Sequence, residues 1–354
     1  MRTSLISAGV LALTGWAASA LMPVKLAFAD DRLSIVSWGG AAQMGIRKAY
    51  LEPFSKATGI KITEDEYSGE IAKVRAMVES KAVSWDVVDS SGRQAIQMCA
   101  EGLLETIDWK RLGLDRTKFM AGDQQDCGVP SSASATVIAY DKGRLANGPK
   151  TIADLFDVKK FPGKRGLNRT PVGNLEWALI ADGVAIKDVY KLLKTPEGVD
   201  RAFKKLDTIK KDVVWWTAGA QPPQLLADGQ VIMTSVWNGR IYDAGKNSGK
   251  HFEIMWDAEQ LSWNVWVIPK GAPRLDNAYK LIAFAASPQA QANLTHYIPY
   301  APGNKDAVAL IDPAILPNVP TAPDHMANAQ PLDNAFWAEK DDELNQRFTA
   351  WLAK

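Results

Sequence analysis

The hydrophobic positions of the chain switch repeatedly between a two-residue period and a helical one. Leu33–Ser37 reads as a strand, Gly39-Gly40 breaks it, and Ala41–Ala57 sets Ile46, Tyr50 and Phe54 on one helical face. Ile60–Tyr67 alternates as a second strand, Ser68 stands where it would cap a helix, and Ile71, Val74, Met77 and Val78 keep helical spacing. Trp85–Asp89 is a third strand, and Ser90-Ser91-Gly92 leads into a helix over Arg93–Glu101. This βαβαβα order predicts a mostly parallel sheet covered on both faces. In such sheets small ligands sit beyond the carboxyl ends of the strands, where helix N-termini point free N–H groups. Three junctions qualify: Trp38-Gly39-Gly40, Tyr67-Ser68-Gly69 and Ser90-Ser91-Gly92, although tight turns also call for Gly and Ser on their own account.

A second α/β set begins near Tyr140. Helices are expected at Thr151–Phe156, Leu175–Asp182, Val189–Leu193, Pro196–Ile209 and Pro223–Asp228, and strands at Gly166–Asn168, Val213–Trp216 and Gln230–Val236. Residues 261–268, LSWNVWVI, follow as a strand. Its alternation puts Trp263 and Val265 on one face and Ser262, Asn264 and Trp266 on the other. Helices at Leu275–Ala286 and Pro288–Leu294, an extended Tyr297–Tyr300, a proline-rich stretch and a last helix at Asp342–Ala353 complete the pattern. A chain of 354 residues is also long enough for two domains.

At 47% hydrophobic, 23% charged and net +1, the composition gives no sign of a nucleic-acid partner or a polybasic membrane patch. Thirteen tryptophans leave some over from packing for a binding surface. The N-terminus reads as an export signal over residues 1–29: Arg2, an apolar Leu5–Leu21, and Ala27-Phe28-Ala29 as the cleavage site. Ala18-Ser19-Ala20 is an alternative site, and Lys25 is unusual in that setting. Cleavage after Ala29 removes Arg2 and Lys25 and no acid, leaving a formal charge of −1. Export puts Cys99 and Cys127, the two cysteines, in an oxidising compartment, where they either pair or remain buried thiols.

Catalytic and metal motifs are poorly represented. The three histidines lack metal-ligand spacing, Gly245–Lys250 is one residue short of a phosphate-binding loop, and no G-x-S-x-G occurs. The informative stretch is Thr234–Arg240, TSVWNGR. A strand ends at Val236, Trp237-Asn238-Gly239 makes a turn, and Arg240 falls in the first turn of a helix. A cation there opposes the helix dipole, so either a bound anion or Asp243 should offset it.

Taken in order, SWGG, WDVVDSS, CGVPSSASATVIAYDK, KKFPGKRGL, WWTAGAQPPQLLADGQV, VWNGR, WVIPKGAP and YIPYAPGNKDA resemble the periplasmic solute-binding proteins of polyamine-type ABC importers. That group includes spermidine/putrescine receptors and γ-aminobutyrate-binding relatives, and the resemblance covers essentially the whole mature chain. It implies an α/β bilobal periplasmic-binding-protein fold of type II, two lobes joined by two crossing segments. Lobe one would be residues 30–139 plus 266–312, and lobe two 140–265 plus 313–354. LSWNVWVI would be the return crossing, with Asn264 facing the cleft. The resemblance further implies a Cys99–Cys127 disulfide and a monomeric periplasmic receptor without enzymatic activity, cofactor or metal. Its partners would be a cationic or zwitterionic small solute and ABC permease subunits. Carried over by position, ligand contacts fall on Trp38, Gly39, Gly40, Ser91, Trp237, Arg240, Asn264 and Tyr300, with Glu176, Gln221 and Trp263 also assigned to the cleft.

The chain departs from the family pattern in charge. Many polyamine binders carry acids where Asn264 and Arg240 stand here, and some carry one at the position of Gly40. A linear polyamine would then leave a buried charge unpaired, at a cost of about 3–5 kcal/mol. A zwitterion fits better: its carboxylate meets Arg240 while tryptophan faces of Trp38, Trp237 and Trp263 receive the cationic end, each contributing about 0.5–2 kcal/mol. γ-Aminobutyrate-like and betaine-like solutes match that description, and a diamine held by Glu176 and Asp243 is the alternative. Two other functions share the architecture. A thiaminase-like enzyme would use Cys127 as nucleophile, and a ferric-ion receptor would use adjacent tyrosines, a pair absent from the sequence.

Overall fold

The computed structural model describes residues 31–120 and 126–354, so the export segment with both of its cleavage sites lies outside the described residues. The described chain is organised by one mixed sheet. Its strands are β1 (Arg32–Ser37), β2 (Lys61–Glu66), β3 (Val87–Ser91), β4 (Val129–Asp141), β5 (Arg165–Asn168), β6 (Val213–Trp216), β7 (Met233–Trp237), β8 (Phe252–Val267), β9 (Ala301–Pro302) and β10 (Gln330–Pro331). The main order is β2-β1-β3-β8-β4-β7-β5-β6. β1, β2 and β3 are mutually parallel, as are β5, β6 and β7.

Between these two parallel sets lie β4 and β8, long strands of 13 and 16 residues that run antiparallel to each other. The carboxyl end of β8 pairs with β3, and the carboxyl half of β4 pairs with β7. Each long strand therefore begins in one set and ends in the other, which makes two α/β lobes with two crossings. The chain passes between the lobes a third time along β10, which pairs beside Gln260 and Leu261 of β8.

Each lobe has its own core. In the first, Leu33, Tyr50, Phe54, Trp266 and Ile282 pack on one face of the sheet and Val36, Val74, Val88 and Met98 on the other. The second is built on Leu155, Leu175, Trp177, Phe203 and Leu206, closed by Phe336, Trp337, Phe348 and Trp351 of the C-terminal helix Asn334–Leu352. That helix starts well before the expected Asp342. Asp333 caps it by accepting from the Phe336 backbone N–H at 3.0 Å, and the charged run after Trp337 hides its first turns from a periodicity reading. Ser68 does not cap a helix. Gly69 turns the chain first, at φ 91°, and the helix Ile71–Glu79 begins after Glu70. Cys99 and Cys127 are bonded to each other, tying the helix Gly92–Ala100 to the lead into β4 across a Cα–Cα distance of 5.8 Å.

Candidate functional site

The two lobes enclose between them a cavity of about 670 Å³. Its floor is made by the two crossing strands. Ser134 and Thr136 of β4 and Gln260, Ser262 and Asn264 of β8 recur at every second residue, so their side chains share one face of the ribbon. Gln260 is partly committed, donating to the Gly173 carbonyl at 2.6 Å. The floor is neutral and rich in hydroxyls and amides.

The first lobe contributes the turn Trp38-Gly39-Gly40, Tyr67 and Ser91. Both glycines are in the left-handed region, φ 66° and 56°, and both are crowded. A Cβ on Gly39 would lie 2.5 Å from Glu66 Oε2, and one on Gly40 would lie 2.5 Å from Arg240 Nη1. The sequence SWGG is therefore required twice over, by backbone conformation and by close approach. Ser91 donates to Gln94 Oε1 at 2.6 Å, and the Gln94 amide reaches on to the Gly69 carbonyl, so two of the three candidate junctions are tied together.

The second lobe contributes Trp237 and Arg240. β7 ends at Trp237 and the helix Asn238–Ser248 starts directly after it. Asn238 is buried, with its Oδ1 accepting from the Ala135 backbone N–H and its Nδ2 donating to Pro299, which holds the turn against β4. Arg240 projects into the cavity wall with its guanidinium 5.3 Å from the Trp237 ring. Its Nη2 crosses to the first lobe and donates to the Trp38 carbonyl at 2.9 Å and the Gly39 carbonyl at 3.3 Å. Its Nε is buried, with no hydrogen-bond partner among the described residues. Asp243 does not offset it: that carboxylate accepts from Asn247 instead. Tyr300, nearly buried, completes the wall; burial pushes its hydroxyl up to about 12, against the pull of Arg240.

Trp38, Gly39, Gly40, Ser91, Trp237, Arg240, Asn264 and Tyr300 thus line one cavity. Three assignments are corrected. Glu176 is fully buried in the second lobe, accepting from the Gly173 N–H at 2.8 Å, the Tyr190 hydroxyl at 2.8 Å and the Trp337 indole at 2.7 Å. Burial raises its pKa against those donors, and its work is to lock the C-terminal helix to the helix Asn174–Ala181. Gln221 does not line the cavity; its Oε1 accepts from the Thr217 and Ala218 N–H groups, so it shapes a loop that does. Trp263 points to the opposite face, packing with Ala133, Leu261 and Ile311. Alternation in the sequence separates it from Asn264, so its ring is not among the faces that could receive a cationic end.

The sequence reading missed Glu66 and Glu70, exposed acids at the rim, and the hydroxyls of Ser134 and Thr136. The latter were legible in SSASAT, where hydroxyls alternate with alanines. Among the described residues no group of three or more His, Cys, Asp or Glu side chains is placed to hold a metal, and no helix is long and apolar enough to cross a membrane.

Two lobes, crossing strands and a polar cavity between them define a binding protein of the type that closes on a small solute. The chain belongs to the bacterial extracellular solute-binding proteins, whose family model matches residues 49–326. It is 44% identical over 325 residues to a γ-aminobutyric acid-binding protein of Pseudomonas aeruginosa, covering 92% of each chain. It is 26% identical to a spermidine/putrescine-binding periplasmic protein of Salmonella typhimurium, covering 94% of this chain and 92% of that one. The crystal structure of the PBP MotA of A. tumefaciens B6 in complex with glucopine superposes with a TM-score of 0.84 at 34% identity, covering 91% of this chain and 99% of the other. These relatives are binding proteins, and the thiol on which an enzymatic reading rested is consumed in the disulfide.

Proposed function

We propose that the protein is a periplasmic receptor, exported with cleavage after Ala29, that delivers a small zwitterionic amine of the γ-aminobutyrate type to the permease of an ABC importer. The lobe limits named above, 30–139 plus 266–312 and 140–265 plus 313–354, form part of the same proposal, with the last limit moved from 313 to the passage along β10 at Gln330–Pro331. The observation that carries the solute class is Arg240. Its guanidinium stands in the cavity wall over Trp237, its Nε–H without a partner among the described residues, beside a floor of Ser134, Thr136, Gln260, Ser262 and Asn264. A planar cation with spare donors is suited to a carboxylate. The diamine alternative loses both of its acids, since Glu176 is buried elsewhere and Asp243 does not line this cavity. The γ-aminobutyric acid-binding relative at 44% identity supports the same reading.

A second reading has its own observation. The cavity is larger than a four-carbon amino acid fills, and its floor of hydroxyls and amides would take a carboxylate solute with a neutral polar arm. The relative bound to glucopine is consistent with that class. A thermal-shift screen decides between them. γ-Aminobutyrate, glycine betaine, putrescine, an opine and glucose are each added at one common concentration. A true solute stabilises the protein by about 2.7 kcal/mol where that concentration is a hundredfold its dissociation constant, and a weaker binder by less. Stabilisation by glucose alone, or by putrescine ahead of every zwitterion, overturns the proposal.

A further inference from the structure

The amine end of such a solute needs a negative partner, and the acids that line the cavity, Glu66 and Glu70, are exposed at its rim. A buried acid stands one layer behind the floor. β3 and β8 pair antiparallel, with Ser91 opposite Asn264 and Asp89 opposite Trp266. Asp89 is 3% exposed and does not itself line the cavity. Its Oδ2 accepts from Asn264 Nδ2 at 3.1 Å and its Oδ1 from the Ser131 hydroxyl at 3.1 Å.

This arrangement orients the amide. An ionised carboxylate only accepts hydrogen bonds, so the group of Asn264 turned toward it must be the NH₂, and the amide oxygen is left for the cavity. Among the described residues the carboxylate is also without a paired cation. Burial drives its pKa up to about 7, opposed by the Asn264 and Ser131 hydrogen bonds and by the Trp38 indole, which points the same way without closing a bond of normal geometry. Its charge is felt by Tyr50, Tyr67 and Tyr300, and Arg93, paired with Asp341, stands in the lining of the same cavity. Tyr300 is within electrostatic reach of both Asp89 and Arg240, with opposite signs. The site is thus polarised, cation on one side and a screened anion on the other.

We propose that Asp89 is a specificity-determining residue for the cationic end of the solute, acting through Asn264, whose amide oxygen it holds toward the cavity. The proposal rests on the amine-solute reading above. A bound ammonium supplies the charge that Asp89 lacks, and protonation of Asp89 allows the amide to turn.

The test is calorimetric titration of γ-aminobutyrate, putrescine and butyrate, which keeps the carboxylate but lacks the ammonium, at pH 8 and pH 6. Wild type should prefer γ-aminobutyrate to butyrate at pH 8, and less so at pH 6. Asp89→Asn should shrink that preference by about tenfold or more, through loss of γ-aminobutyrate affinity and not butyrate affinity, and should remove its pH dependence. Asn264→Ala, which deletes the relay and keeps the acid, should do the same. Equal weakening of both probes by Asp89→Asn and Asn264→Ala would mean a packing role and overturn the proposal. Equal binding of both probes by wild type also overturns it. If neither γ-aminobutyrate nor putrescine binds wild type, the amine reading itself fails and takes this proposal with it; failure confined to the variants fells this proposal alone.

Discussion

Removing Arg240 separates the receptor's chemistry from its fold. In Arg240→Ala a solute carboxylate in the cavity loses its cationic partner. One charge-assisted hydrogen bond is worth about 1.5–3 kcal/mol, and a buried charge left unpaired costs about 3–5 kcal/mol. Taking about 3 kcal/mol as the net loss, affinity for γ-aminobutyrate should fall by roughly a hundredfold. Part of that loss belongs to closure, since Nη2 also donates to the Trp38 and Gly39 carbonyls across the cleft. Arg240→Lys apportions the two: it restores the charge without the planar fork, so it should recover only part of the affinity. Folding should change by less than about 1 kcal/mol, because a cation in the first turn of a helix opposes the dipole there. Isothermal titration of the three proteins, with thermal unfolding of each without ligand, gives all the quantities. Wild-type affinity in Arg240→Ala would refute the reasoning and leave Arg240 as a strut between lobes. A large loss of stability without ligand would show that the cross-cleft bonds serve the fold first.

Gly40→Ala should weaken solute binding about tenfold or more and destabilise by roughly 1–2 kcal/mol, because φ 56° disfavours a side chain and its Cβ would lie 2.5 Å from Arg240 Nη1; titration and thermal unfolding check both. Reduction of Cys99–Cys127, or the double Ser variant, should cost on the order of 3 kcal/mol, the entropy of a loop closed across 28 positions. Uptake of two alkyl groups by unreduced protein would contradict the bond. Glu259 offers a pH test away from the site. It is fully buried, neither carboxylate oxygen has a partner among the described residues, and burial lifts its pKa to about 8. A carboxyl with a raised folded-state pKa holds its proton better folded than unfolded. Stability should therefore fall as pH rises from about 4 to about 8 and stay low above it. Glu259→Gln should flatten that slope, gaining on the order of 2–4 kcal/mol at pH 8.5 and nothing at pH 4; an unchanged slope in denaturant titrations would contradict it.

The strands and helices that carry the site were readable because their apolar periods are long and uninterrupted. Val189–Leu193, Val213–Trp216 and Pro288–Leu294 fall where expected, and SWGG, VWNGR and Asn264 converge on one cavity. What escaped the reading depends on partners far away in sequence. Glu176 sits at a helix start, as a cleft residue would, and only the fold reveals the Trp337 indole that takes its carboxylate inward. Trp263 and Asn264 are neighbours in sequence, but their side chains are on opposite faces of β8, and the packing of Trp263 under Ile311 has no local signal. Asp89 reads as one more residue of a buried strand until Asn264 and Ser131 are brought to it from β8 and β4. LSWNVWVI also proved to be the end of a longer strand. Its earlier part is interrupted around Ala258, at φ 53°, where the pairing with β4 slips between Thr136 and Ile138.

That slip bears on how the molecule must move. β4 and β8 are hydrogen-bonded to each other along most of their length, with irregularities at Pro130/Ser132 and at Thr136/Ile138, the two ends of the cavity floor. A ribbon of two paired strands resists stretching and shearing but yields to twist, most easily where its ladder is already broken. The lobes are therefore mounted on a torsion element whose compliant points bracket the surface that receives the solute. A solute bridging Ser134, Thr136, Ser262 and Asn264 splints that element directly, so occupancy is registered as stiffness in the axle before it is registered as contact between the lobes.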